Sequence, residues 1–144
     1  MAFLLDTNVI SETVCPKPEA RVLDWLEKQS PEELFLSAMT IGELMRGAYK
    51  VKEKLRRDRF TKWIEDDLSQ QFYGRVLPFG ESAAQIWGES MGTGDRTGKT
   101  PSAFDAQIAA IAIDRSLVLV TRNVSDFERF DLEILNPWDN GADN

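Results

Sequence analysis

Histidine is absent from all 144 residues. Without an imidazole the chain cannot build a Ser-His-Asp triad, a Cys-His dyad, a histidine zinc site or two-histidine ribonuclease chemistry. Cysteine is nearly absent. Cys15 has no partner for an internal disulfide and no companions for a thiolate metal site. No apolar run approaches the roughly 18 residues that a membrane-crossing helix needs. The apolar opening around Phe3-Leu4-Leu5 is cut short by Asp6 and has no basic flank, unlike a signal peptide, so cytoplasmic residence without membrane contact is expected. Positive charge is scarce as well: 17 Lys and Arg against 24 Asp and Glu leave a net charge of −7. Such a chain does not draw nucleic acid in through bulk electrostatics. A phosphodiester substrate would require a local offset, and divalent metal held by carboxylates is the natural one.

What is present describes one globular domain. A hydrophobic fraction of 42% and a charged fraction of 28% suffice for a core, and no repeat or linker divides the chain. We expect a single domain over residues 1–138 and a frayed polar tail over 139–144. Short apolar strands are expected at Phe3–Leu5, Leu34–Leu36, Arg75–Pro78, Leu117–Val120 and Glu133–Leu135. Helical periodicity fills the intervals. It follows Asp6, breaks at Pro16 and Pro18, and resumes through Val22, Leu23, Trp25 and Leu26. It continues from Thr40 to about Val51, from Lys54 to about Ser69, and from Glu81 to Met91. Gly92 to Thr100 has the composition of a loop, after which Pro101 opens a helix with Phe104, Ile108, Ile111 and Ala112 on one face. Strands alternating with helices predict an α/β fold with a mostly parallel sheet covered on both faces. Ligands of such sheets bind beyond the carboxyl ends of the strands, where strand order reverses.

That rule gives particular acids a meaning. Asp6 ends the first strand, Glu43 is expected in the first helical turn after the second, and Asp105 in the first turn of the helix feeding the fourth. Each has a simpler account taken singly. Asp6 can cap the helix that begins at Thr7. Thr40-Ile41-Gly42-Glu43 fits a capping box, and so does Ser102-Ala103-Phe104-Asp105, unless Thr100 is the cap with Pro101 at the first helical position. As a set they are harder to dismiss, because they fall at one edge of one sheet and Asp105 is embedded in an apolar run where an unpaired carboxylate is costly. Clustered carboxylates repel and take up protons unless a cation joins them. A cation so held can polarise a phosphodiester and lower the pKa of water without any histidine.

These residues resemble a known family. Leu4-Leu5-Asp6-Thr7-Asn8-Val9-Ile10-Ser11-Glu12 is similar to the opening of PIN-domain ribonucleases. Leu36-Ser37-Ala38-Met39-Thr40-Ile41-Gly42-Glu43-Leu44 resembles their second motif and Asp105-Ala106-Gln107-Ile108-Ala109-Ala110 their third. Val120-Thr121-Arg122-Asn123-Val124-Ser125-Asp126-Phe127 resembles the fourth, and Asn136-Pro137-Trp138 a common ending. The match runs from about residue 3 to 138 in the family's order, and is closest to the VapC and FitB toxins of bacterial toxin–antitoxin pairs. The resemblance implies a three-layer α/β/α sandwich and an endoribonuclease dependent on Mg²⁺, with Mn²⁺ able to substitute. It implies metal ligation by Asp6 and Asp105, with Glu43 completing the pocket. Some members carry an aspartate where this chain has Asn123, which leaves Asp126 as the expected fourth acid. Thr7, Asn8, Thr121 and Asn123 are expected to hydrogen-bond the carboxylates or water. RNA is the implied substrate and an antitoxin protein the implied partner, with a homodimer and a larger toxin–antitoxin assembly.

Lys52, Arg56, Arg57 and Arg59 make the densest positive stretch in the chain. A solvated helix face accounts for them most simply, and a surface for RNA or a partner is the alternative. Leu44, Met45, Ala48, Tyr49, Phe60 and Trp63 are candidates for core or for a groove. Gly98-Lys99-Thr100 imitates the end of a P-loop, but Thr93 stands where that motif needs glycine and no strand precedes it. Two other classes stay open. A catalytically impaired domain of this fold would act as a protein-binding module. An aspartate-based phosphatase would usually want a second aspartate where this chain has Asn8.

Overall fold

A computed structural model describes residues 1–139. The expected tail thus lies outside the described residues, apart from Asp139. Five parallel strands form the central sheet: β1 (Phe3–Leu5), β2 (Leu34–Ser37), β3 (Val76–Leu77), β4 (Val118–Val120) and β5 (Ile134–Leu135), in the order β3-β2-β1-β4-β5. The chain builds outward from β1 on one side, returns, and builds outward on the other. The order reverses between β1 and β4, where Phe3 pairs with Val118 and Leu5 with Val120.

Alternation along these strands divides the core in two. Phe3, Leu5, Leu34, Leu36, Val118 and Val120 belong to one cluster with Val9, Ile10, Val22, Trp25, Leu68 and Phe72. Leu4 and Leu119 point the other way, to a cluster with Ile108, Ala109, Ile111, Ala112 and Phe127. Successive strand residues face opposite sides. Strands of apolar residues at every position therefore demand helices on both faces, and a three-layer α/β/α sandwich results. Helices α1 (Thr7–Glu12) and α2 (Ala20–Glu27) cover the first face, and α6 (Glu81–Thr97) and α7 (Ala103–Asp114) the second. Between them in sequence lie α3 (Ala38–Tyr49), α4 (Lys54–Lys62), a π-helical stretch Trp63–Leu68 and the single turn α5 (Ser69–Gln71); α8 (Val124–Phe127) follows β4. No helix among the described residues is long and apolar enough to cross a membrane.

Three local expectations are corrected. Residues 92–97 are not a loop: α6 runs on to Thr97 despite three poor helix formers at Gly92, Thr93 and Gly94. Tertiary packing overrides propensity there, because Gly94 lies under the returning chain. A Cβ on it would stand 2.8 Å from Lys99 O, Thr100 Cα and Pro101 Cδ. The helix stops one step later, at Gly98 with φ +78°, while Lys99 N–H donates to Gly94 O at 2.8 Å. Second, α3 begins at Ala38 rather than Thr40. Ser37 is its cap, accepting from Thr40 N at 3.1 Å. Glu43 thus sits in the second turn and belongs to no capping box. Third, α7 begins at Ala103 and not at Pro101: of the two caps left open Ser102 is the one used, accepting from Asp105 N at 3.4 Å. Its apolar surface is broader than one face, because it is packed against both the sheet and α6.

Candidate active site

The switch point between β1 and β4 is where the chain places its buried polar groups. Asp6 follows β1 directly, and its backbone N–H donates to Val120 O at 2.9 Å, extending the ladder by one rung. Its carboxylate does cap α1, accepting from Thr7 N at 2.8 Å through Oδ1. The capping account is therefore correct for half of the group. The other oxygen, Oδ2, accepts from the hydroxyl of Thr121 at 2.8 Å.

Thr121 immediately follows β4 and is fully buried. A hydroxyl has one proton to donate and two lone pairs. Its proton goes to Asp6, a carboxylate that can only accept, while Asn8 Nδ2 at 3.3 Å and Asn123 N at 3.1 Å donate to its oxygen. Asn8 Oδ1 in turn accepts from Arg122 N at 3.3 Å. A second hydroxyl chain supports the same end of the sheet: Thr7 Oγ1 stands 3.2 Å from Thr40 Oγ1, and Thr40 Oγ1 3.5 Å from Ser37 Oγ. Thr7, Asn8, Thr121 and Asn123 are thus gathered around one carboxylate. The sequence offered no signal for Ser37 and Thr40 as members beyond their place after a strand.

Around this anchor four acids converge. Burial, above all, pushes the Asp6 carboxyl above its ordinary value. The bonds from Thr121 and Thr7 oppose that shift, and the charges of Glu43 and Asp126 add to it. Asp105, half-buried on α7, is also raised, by burial first and then by the charges of Asp126, Asp6 and Glu43. Each acid comes from a different element: β1's end, α3, α7 and α8. The fold thus unites all four residues singled out by sequence. Asp6, Glu43 and Asp105 line an open cleft of about 430 Å³ together with Thr7, Asn8, Ser11, Glu12, Cys15, Phe104, Arg122, Asn123 and Trp138. Asn123 lines the cleft itself, and Asp126 acts on it electrostatically from the exposed first turn of α8. Among the described residues no three His, Cys, Asp or Glu side chains form a ready-made metal cage.

A model of the family described as PIN domain matches residues 3–132. The chain belongs to the PIN-domain family. Its curated relatives include toxin FitB of Neisseria gonorrhoeae, 37% identical over 94% of this chain and 97% of FitB. VapC ribonuclease Y4jK of Sinorhizobium fredii is 38% identical, again over 94% of this chain and 97% of its own. The crystal structure of FitAcB from Neisseria gonorrhoeae superposes with a TM-score of 0.87 at 37% identity, covering 94% of this chain and 98% of that one. This PIN domain therefore shares its fold with the FitAcB structure and nearly its whole length with toxin FitB and ribonuclease Y4jK, and VapC nucleases of this family are generally metal-dependent.

The basic stretch of this PIN domain resolves into separate roles. Arg57 Nη1 donates to Val51 O at 3.0 Å and Lys52 O at 3.4 Å, so it ties down the turn before α4. Lys52 is exposed in that turn. Arg56 lies 5.7 Å over the Phe60 ring, and Arg56 and Arg59 border an apolar groove with Val14, Phe60 and Trp63. Its floor includes Leu44, Ala48 and Val51, and it meets the acidic cleft at Thr7, Ser11, Cys15 and Glu43. Tyr49 is not part of the core; it is 66% exposed.

Proposed function

We propose that this protein is a Mg²⁺-dependent endoribonuclease that acts as the toxin of a toxin–antitoxin pair in the cytoplasm, as one domain over residues 1–138. The observation that carries the reading is the meeting of Asp6, Glu43 and Asp105 in one cleft at the β1/β4 switch point, with Asp126 close enough to act on it, and with Asp6 and Asp105 both raised by burial first and then by the charge of the other acids. Carboxylates that disfavour one another's ionisation fit a divalent cation, which relieves the conflict they create. Asp6 and Asp105 are the assigned ligands. Mg²⁺ prefers one or two carboxylates with waters and phosphate, so a site without a closed protein cage suits it, and Mn²⁺ can replace it. When bound, the ion supplies charge stabilisation for phosphodiester hydrolysis with water as nucleophile.

The protein's own groups divide the remaining work. Thr121 and Thr7 hold the Asp6 carboxylate in one orientation. Glu43 and Asp126 position water and hold its proton, and Asn123 orients water without adding charge. The RNA is single-stranded or looped, because the attacked phosphate has to enter a cleft. FitB is a toxin and Y4jK a ribonuclease. The groove beside the cleft, with its arginine border, is assigned to the antitoxin, in a homodimeric toxin within a larger assembly.

The test is cleavage of a mixed structured-RNA pool by purified protein with Mg²⁺, Mn²⁺ or EDTA, wild type beside Asp6→Asn. Discrete products that require both metal and Asp6 are expected. Equal cleavage by the mutant, or none by folded, inhibitor-free wild type under any metal, overturns the reading. In the second case the protein is a binding module.

A further inference from the structure

The acidic cleft contains one basic residue among the described residues that line it, Arg122. Four carboxylates lie near, yet among the described residues its guanidinium is in no ion pair. It lies over the Trp138 ring instead, with Cζ 5.3 Å from the ring centroid. Arg122 is fixed from behind, since its backbone N–H donates to Asn8 Oδ1 and thus hangs on the same network that orients Asp6. Trp138 is fixed too. Its backbone N–H donates to Asn136 Oδ1 at 2.9 Å, and its ring packs against the core on the α1/α2 face. Phe104, next to Asp105, also lines the cleft, but packs against the core of the opposite face. The acids are therefore framed by aromatic rings belonging to the two outer layers.

We infer that Arg122 and Trp138 form the substrate-strand platform of the cleft: the guanidinium takes a backbone phosphate of single-stranded RNA, and the indole beside it receives a neighbouring base. This rests on the ribonuclease reading above. The chemistry favours it in two ways. An acidic protein that binds a polyanion needs a cation at the point of contact, and Arg122 is the one facing the cleft. A guanidinium held over an indole also puts a cation beside an aromatic ring, and splayed bases stack on such rings without sequence preference.

The test measures binding rather than cleavage. A short fluorescein-labelled single-stranded RNA of mixed sequence is titrated in the Asp6→Asn background, over a salt series. Arg122→Gln is expected to weaken binding about tenfold and to flatten the slope of log K against log salt by about 0.7, the loss of one phosphate contact. Arg122→Lys should restore the slope. Trp138→Leu should weaken binding about tenfold with the slope kept, while Trp138→Phe, which retains a ring and the core packing, stays within about threefold. Binding like the background by both Arg122→Gln and Trp138→Leu overturns the inference. So does weaker binding by Arg122→Gln with an unchanged slope, or a loss confined to affinity for a co-encoded antitoxin. If wild type cleaves RNA with Mg²⁺ while the variants bind normally, only this inference falls; if wild type neither binds nor cleaves, the ribonuclease reading falls with it.

Discussion

Replacing Thr121 with valine changes shape little but removes the oxygen on which three segments meet. Asp6 Oδ2 loses its donor at 2.8 Å, and Asn8 Nδ2 and Asn123 N–H lose their acceptor. A hydrogen bond to a charged group contributes about 1.5–3 kcal/mol. The two orphaned donors border an open cleft where water can reach them, so they add no more than about 1 kcal/mol. The expected loss is about 2–4 kcal/mol, a large share of the roughly 5–15 kcal/mol that holds a domain together. The loss also depends on pH. The Thr121 bond is the foremost factor holding down an Asp6 carboxyl that burial raises, so valine lifts that carboxyl further. The penalty is therefore largest where the wild-type Asp6 is ionised and shrinks as pH falls through its folded value. Urea denaturation in EDTA, followed by tryptophan fluorescence across a pH series from the ordinary carboxylate value of 3.8 up to about 8, reads both quantities. A penalty below about 0.5 kcal/mol, or one constant across the series, refutes the assignment of the Thr121 proton to Asp6.

Asp6 and Asp105 are both raised in the fold, so the unfolded chain ionises first. Metal-free protein should lose stability as pH rises from the ordinary carboxylate value of 3.8 through the folded values, and EDTA-treated melts against pH check this. Mg²⁺ should reverse the trend. At about ten times its dissociation constant it adds about 1.4 kcal/mol, and Asp105→Asn should abolish that gain in the same melts. Gly94→Ala should cost about 2–4 kcal/mol through the contacts at 2.8 Å, whereas Gly92→Ala, with nothing within 4 Å, should gain about 0.4–1 kcal/mol; equal midpoints for the two would refute the packing account of α6.

Much of this was legible in the sequence, for identifiable reasons. Leu-rich and Val-rich runs of three or four residues between helical periods have few ways to be buried, and all five expected strands form, shorter by a residue or two at β3, β4 and β5. Asp6 and Asp105 were visible as acids at strand and helix ends. Less legible was anything decided by a distant segment. Glycine and threonine at 92–94 looked like a loop because the reason for their helix lies at residues 99–101. Ser37, not Thr40, caps α3, and that moved Glu43 by a turn, although the same face still meets the cleft. The Arg122–Trp138 pair was beyond reach, because 16 positions of chain separate the two and only β4–β5 pairing closes that gap.

The bond from Thr121 to Asp6 joins residues 115 positions apart. It has a consequence in time. While the ribosome is still making the first hundred residues, Asp6 has neither β4 beside it nor Thr121 to orient it, and Asp105 and Asp126 do not yet exist. Synthesis at roughly 5–20 residues per second therefore gives the cell several seconds in which the growing chain is inert. Contacts so remote in sequence also close late in folding. For a protein whose finished form attacks RNA, the template and ribosome that produce it are spared until the last strands dock. Circular permutation that starts the chain in the turn before α7 would bring Asp105, Thr121 and Asp126 out of the ribosome ahead of Asp6 and shorten that delay.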